Sequence, residues 1–246
     1  MIDLHCHALP GIDDGPDDMQ GSIALARAAA ETGTKTLVTP PHIDRWWSVD
    51  PTSVASRVAE LRAALADEDV DLDIRAGGEI ALTRLVDLDD HELDAVALGG
   101  GRHVLLEAPL TPGADDFDHL ILDVLARRPV LIAHPERCPA FLREPERYES
   151  LLEAGALGQV TTGSFAGQFG GTVRATVLRW LDRGWAHVVA SDAHDAYRRP
   201  TGLRGPLARA GLGDELATWL TEAVPTAILE SRPIPERPVE AVSPRA

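Results

Sequence analysis

Nine positions in this 246-residue sequence carry side chains able to hold divalent cations: His5, His7, Asp14, His42, Glu79, Glu107, His134, Asp192 and His194. Asp13 adjoins Asp14 and is its alternative, since neighbouring positions cannot be separated by sequence. Imidazole and carboxylate without thiolate suit borderline or hard ions such as Mn²⁺, Fe²⁺ or Zn²⁺. So many donors exceed the needs of one ion and fit two or three that share a bridging carboxylate. Hydroxide held between two such ions is a strong nucleophile at neutral pH and can attack phosphorus in line. Arg137 and Arg199 follow closely on His134 and His194 and offer planar forks suited to phosphate.

The elements that would position these residues alternate along the chain. Expected strands are Ile2–Leu4, Thr36–Thr39, Asp73–Ala76, His103–Glu107, Val130–Ala133, Gln159–Thr161 and His187–Ala190. Expected helices are Asp18–Thr32, Thr52–Ala66, Ala114–Arg127, Pro145–Ala154, Thr172–Arg183 and Asp214–Ala223, with apolar residues at helical spacing. Gly33, Gly155 and Gly184 follow three of them as C-terminal caps. Such alternation implies a mostly parallel sheet, either doubly wound or closed into a barrel. Six of the seven strands deliver a candidate donor at the C-terminal end, where such folds build their sites. An extended His5-Cys6-His7 places both imidazoles on one side and Cys6 in the core. His91, His103, His119 and His187 fall on helices, connections or strand starts and read as structural.

Composition narrows the function. The formal charge of −16 repels a nucleic-acid backbone, so no nucleic-acid partner is expected. No run of 18 apolar residues occurs, and the N-terminus lacks a basic stretch followed by an apolar one. Neither membrane insertion nor secretion is therefore expected, and the two cysteines fit a reducing cytoplasm. Cys138 and Arg143 have four residues between them, one short of a cysteine-phosphatase loop. Gly99-Gly100-Gly101 lacks the lysine and hydroxyl of a P-loop, and no Gly-x-Ser-x-Gly elbow occurs. After Ser231 come Pro233, Pro235, Pro238 and Pro244, so 231–246 reads as an extended or flexible tail on a single domain of residues 1–230.

The ordered set His5-x-His7, Pro41-His42, Gly78-Glu79, Ala133-His134-Pro-Glu-Arg137 and Ser191-Asp192-Ala-His194 resembles the successive motifs of the polymerase-and-histidinol-phosphatase (PHP) family. Asp13-Asp14-Gly15-Pro16, Gln159-Val160, Gly163-Ser164 and Arg199-Pro200 are similar to a narrower branch, the bacterial protein-tyrosine phosphatases of capsule and exopolysaccharide biosynthesis. The resemblance implies a distorted seven-stranded β/α barrel with three metal ions at its mouth, Mn²⁺ by preference and Fe or Zn otherwise. It implies one ion on His5, His7, Glu79 and Asp192 and a second on Glu79, Glu107 and His134. A third falls to Asp14, His42 and His194, and phosphate contact to Arg137 and Arg199. The implied activity is hydrolysis of phosphotyrosine on the tail of a polysaccharide-assembly tyrosine kinase. A small-molecule phosphatase of the histidinol-phosphatase type is the alternative, with a nuclease or an inactive metal-binding scaffold behind it. Trp46-Trp47 lie just after His42, and whether one ring lines the cleft against an aromatic substrate or serves another role is left open by the sequence.

Overall fold

The structure is a computed structural model that describes residues 1–114 and 116–239. Pro244 and the rest of 240–246 lie outside the described residues, as does Asp115 of the expected helix Ala114–Arg127. Nine strands are formed among the described residues: β1 (Ile2–Asp3), β2 (Thr36–Thr39), β3 (His42–Ile43), β4 (Asp73–Ala76), β5 (Glu79–Ala81), β6 (Val104–Glu107), β7 (Val130–Ala133), β8 (Leu157–Thr161) and β9 (Val188–Ala190). They make two parallel sheets, one of three strands in the order β1-β2-β4 and one of six in the order β3-β5-β6-β7-β8-β9. The α/β class and the parallel pairing are as expected from the sequence, and a strand forms at each of the seven expected positions, but β3 and β5 are added and the strands divide into two sheets.

The division has a local cause. Pro40 and Pro41 follow β2 and supply no N–H to a ladder. Beside them run Gly77 and Gly78, where a Cβ would stand 2.9 Å from Val38 and 2.7 Å from Val96. The chain resumes with His42 opposite Glu79, and Glu79 N–H donates to the Pro41 carbonyl at 3.0 Å across the break. This bend carries the imidazole of His42 and the carboxylate of Glu79 to adjacent positions. At the other end of the order, Cys6 bridges Ala193, His7 N–H donates to Ala193 O at 2.8 Å, and Asp192 N–H donates to His5 O at 2.8 Å. The first and last ligand motifs are thereby laid side by side.

Helices cover the strands through apolar stripes. Met19–Glu31 is capped by Asp18, whose side chain accepts from Gly21 N–H at 2.9 Å, and buries Ser22, Leu25, Ala26 and Ala29. Val54–Asp67 buries Val58, Leu61 and Leu65 in the same way. Alternate strand residues serve two separate cores: Val104, Leu106, Val130 and Ile132 pack in one, Leu105 and Leu131 in the other. The helical stretch starting at Asp214 runs past Ala223 through a π-turn at Trp219–Ala223 to Leu229. Pro225, which lacks an N–H for the carbonyl four residues back, accounts for continuation by that wider turn. Short helices such as Asp90–Ala95, Pro139–Arg143 and Arg204–Arg209 were not foreseen, being too brief to show periodicity. Within the proline-rich tail, Pro235 O accepts from Trp219 Nε1 at 3.1 Å and Arg237 donates to Leu181 O at 2.8 Å.

Tyr148 anchors β8 from outside. Its hydroxyl donates to Trp185 O at 2.7 Å, and its ring stacks on Trp180 with centroids 4.5 Å apart. Gly158 lies against that hydroxyl so closely that any Cβ there would overlap it. We expect Gly158→Ala to lower the melting temperature, overpacking of this kind costing about 1–3 kcal/mol. Tyr148→Phe removes the obstructing oxygen, so the double variant should lose less than the sum of the two single losses. Additive losses in thermal denaturation would contradict the packing account.

Candidate metal centre

Each of the nine side chains singled out by sequence belongs to a group of three or four whose donor atoms lie within 4.8 Å of one another. The groups are His7 with Asp14, His42 and His194; His5 with His134 and Asp192; His5 with His7 and Glu79; and His42 with Glu79 and Glu107. Strand ends and the turns after them bring these residues together. Two of the turns depend on left-handed backbone, at His134 (φ 32°) and Asp192 (φ 52°). For residues other than glycine that conformation costs about 1–2 kcal/mol, a cost offset here by the surrounding packing.

The tautomers decide what the cluster can bind. His7 Nδ1–H donates to Asp13 Oδ2 at 2.8 Å, and His194 Nδ1–H donates to the Asp192 carbonyl at 2.9 Å. His5 Nδ1 lies 2.8 Å from Gln159 Oε1. With Nδ1 protonated, Nε2 of each ring presents a lone pair. Yet His5 Nε2 and His7 Nε2 stand 3.0 Å apart, with Glu79 Oε2 at 3.3 and 3.4 Å and Asp192 Oδ1 3.6 Å from both. His194 Nε2 and His42 Nε2 each face Asp14 Oδ1 at 3.2 Å. Lone pairs and carboxylate oxygens so arranged repel unless a proton or a cation lies among them. Donors about 2.1 Å from a shared tetrahedral ion stand about 3.4 Å apart, so these spacings fit metal coordination. Glu79 Oε2, His42 Nδ1, His134 Nδ1 and His194 Nε2 are also buried without a hydrogen-bond partner.

Electrostatics follow the same geometry. Burial would raise the Asp192 and Glu79 carboxyls, but the surrounding imidazoles hold both well below the ordinary carboxylate range. Burial would likewise depress His42, yet the Glu79 and Asp14 carboxylates lift it to about 10. Burial, with the Glu79 charge added, pushes Glu107 up to about 8. Without a metal, the centre is a store of protons.

Adjacent Asp13 and Asp14 differ in placement. Asp13 is buried and its Oδ2 also accepts from His42 N–H at 3.1 Å, so it orients two histidines from behind. The half-exposed Asp14 carboxylate is the one that faces His42 and His194. Gln159 was noted in the sequence only as part of a motif; its signal was an amide side chain within a buried strand. Glu136 was also missed: its Oε1 accepts from Thr161 N–H at 2.8 Å and Ser164 Oγ at 2.7 Å, tying the turn after β7 to β8. Arg137 and Arg199 both reach Asp192 Oδ2, at 2.7 and 2.8 Å, and Arg137 lies 4.4 Å over the Phe169 ring. Trp46 is 88% exposed and Trp47 37%, and neither lines the cavity beside the centre.

Fold and site together define an α/β protein with a multi-donor imidazole–carboxylate centre at the ends of parallel strands. The chain belongs to the family described as capsular polysaccharide synthesis, CpsB/CapC, whose profile matches residues 1–226. It is 34% identical over 226 residues to the tyrosine-protein phosphatase YwqE of Bacillus subtilis (strain 168), spanning 90% of this chain and 89% of that one. The tyrosine-protein phosphatase CpsB of Streptococcus pneumoniae is 28% identical over 210 residues, 81% of this chain and 85% of its own. A solved structure from work on YwqE and CpsB, described there as metal-dependent tyrosine phosphatases, superposes with a TM-score of 0.86 at 34% identity, covering 98% of this chain and 100% of that one. A histidinol phosphate phosphatase from Lactococcus lactis is alike in fold alone, with a TM-score of 0.52 at 14% identity over 80% of this chain and 87% of that one.

Two outcomes are expected. Asp13→Asn should weaken divalent-ion binding about 10- to 100-fold while the protein stays folded, as loss of an orienting partner does; unchanged affinity in calorimetry would contradict its role. His42, raised to about 10, holds a proton at neutral pH that a bound ion must displace. Apparent affinity should therefore rise with pH from 6 to 9, about tenfold per unit for each proton released. Calorimetry in buffers of different ionisation enthalpy reads the proton count, and a count of zero at pH 7 would refute this.

Proposed function

We propose that this chain acts in the cytoplasm and hydrolyses phosphotyrosine on a protein substrate, the tail of a tyrosine kinase of capsular or exopolysaccharide assembly, with three divalent ions, Mn²⁺ by preference. The observation that carries the metal reading is the pair of Nε2 lone pairs of His5 and His7, 3.0 Å apart between two carboxylates. The substrate class is supported by the family and by its named relatives. His5, His7, Glu79 and Asp192 would hold one ion; Glu79, Glu107 and His134 a second; Asp14, His42 and His194 the third. When bound, such ions lower the pKa of water and polarise phosphoryl oxygens. We count β2 with β3 and β4 with β5 as halves of single staves, which gives a distorted seven-staved barrel. Residues 1–230 form the phosphoesterase domain on this reading, with 231–246 as its tail. No helix among the described residues is long and apolar enough to cross a membrane.

The chain's own residues set orientation and choice of ester. Arg137 and Arg199 share the Asp192 oxygen and keep further N–H groups for phosphoryl oxygens. The Phe169 ring beneath Arg137 limits the directions its fork can take. Most of the donors are buried, so a phosphate must project well beyond its peptide backbone to reach them, as phosphotyrosine does and phosphoserine does not. The tyrosine phenolate, with a pKa of about 10, departs without strong need of a general acid.

Chelation should abolish turnover and Mn²⁺ restore it, while thiol alkylation leaves it in place because Cys6 and Cys138 are both buried. On matched peptides differing only at the phosphorylated residue, kcat/KM should be higher for phosphotyrosine than for phosphoserine. Equal values, or a preference for phosphoserine or histidinol phosphate, would refute the tyrosine-phosphatase reading.

A further inference from the structure

A cavity of about 340 Å³ opens beside the centre and shares a wall with it. The buried Asp192 and the partly buried Arg199 line it beside the centre, while the exposed Arg204 and Arg209, on the helix Arg204–Arg209, border it where it meets solvent. Thr161 and Thr201 also line it.

Three features of this cavity point to one kind of ligand. The first is charge. Among the described residues Asp192 is its only acidic lining residue, and Asp192 Oδ2 already accepts from Arg137 and Arg199. In a chain of net charge −16, residues 195–210 hold four arginines against one aspartate. The second is the state of the two outer arginines. Some guanidiniums elsewhere are paired, Arg27 with Glu68 at 3.0 Å and the largely buried Arg128 with Asp94 at 2.7 Å. No ion pair is formed by Arg204 or Arg209 among the described residues. The third is the hydroxyls: Thr161 Oγ1 and Thr201 Oγ1 are buried without a hydrogen-bond partner, and Thr161 is 2% exposed. Free guanidinium and hydroxyl donors in one cavity call for an acceptor that is anionic and short.

We propose that this cavity is a specificity subsite for acidic residues of the substrate protein, with Arg204 and Arg209 receiving Asp or Glu side chains that flank the phosphorylated residue. The proposal rests on the reading above only in placing the phosphate at the metal centre. A segment whose phosphate lies against Arg199 is led out past Arg204 and Arg209, because the cavity joins the two. Those arginines, five residues apart on a helix, are offset about 7.5 Å along its axis, about two residues of extended chain. More than one flanking position can therefore be read. The basic sector also counters the repulsion that an acidic segment would otherwise meet from this protein, which aids encounter.

The test uses the metal-loaded enzyme and two series of peptides, phosphotyrosine and phosphoserine, each with Asp/Glu or Asn/Gln flanks. In wild type, kcat/KM should favour acidic flanks by about 3- to 10-fold at low salt, as two exposed charge pairs would give. The ratio should shrink toward one as ionic strength rises. In the R204Q/R209Q double variant it should be near one at all salt concentrations, and in R204E/R209E it should invert. Equal wild-type rates on acidic and neutral flanks would overturn the proposal, and so would a ratio that survives both double variants. The flank ratio is read in whichever ester series is cleaved faster. A phosphoserine preference with an arginine-dependent flank ratio would thus sink the tyrosine reading and leave this one standing.

Discussion

The Glu79 carboxylate has no exposed surface and lies within 3.4 Å of four imidazoles: His5 at 3.3 Å, His7 at 3.4 Å, His42 at 3.0 Å and His134 at 2.7 Å. A buried carboxylate alone would cost many kcal/mol and would take up a proton instead. The imidazoles reverse that outcome and hold it ionised. Four segments must meet for this to occur: the stretch after β1, β3, β5 and the turn after β7. The break in the sheet at Pro40-Pro41 and Gly77-Gly78 makes the meeting possible. An unbroken β2 and β4 would continue in the first sheet and leave His42 and Glu79 without the second.

A second layer holds the imidazoles in one sense. Asp13, Gln159 and the Asp192 carbonyl take the Nδ1 sides of His7, His5 and His194, so that all three Nε2 atoms face inward. Lone pairs aimed at one another and at carboxylates are unfavourable in a folded chain without cations. The arrangement trades stability of the empty protein for readiness to bind metal. Asp192 extends this economy to the arginines, with Oδ1 toward His5 and His7 and Oδ2 toward Arg137 and Arg199. Candidate metal donors and two guanidinium forks are thus fixed by one side chain.

Much of the candidate site's clustering was legible in the sequence because parallel α/β architecture converts a linear pattern into a spatial one. A donor after each short apolar run becomes a donor at the same end of the sheet. His5, His42, Glu79, His134 and Asp192 were readable on that ground alone. The division of labour between Asp13 and Asp14 was not, since a one-residue difference decides which carboxylate turns to the core, and only tertiary packing fixes it. The two additional strands beyond β2 and β4 were also hidden: β3 has two residues and β5 three, too few for any periodicity. Arg204 and Arg209 looked like ordinary surface charges, and their meaning comes from the cavity they border.

The central claim is that Glu79 is shared between cations in a multi-ion centre. Anomalous scattering at the manganese absorption edge, from crystals grown with Mn²⁺, tests it most directly. The account predicts three peaks among the nine donors, two of them within bonding distance of the Glu79 carboxylate. An absence of peaks among these side chains, or a single peak that Glu79 does not touch, would contradict it.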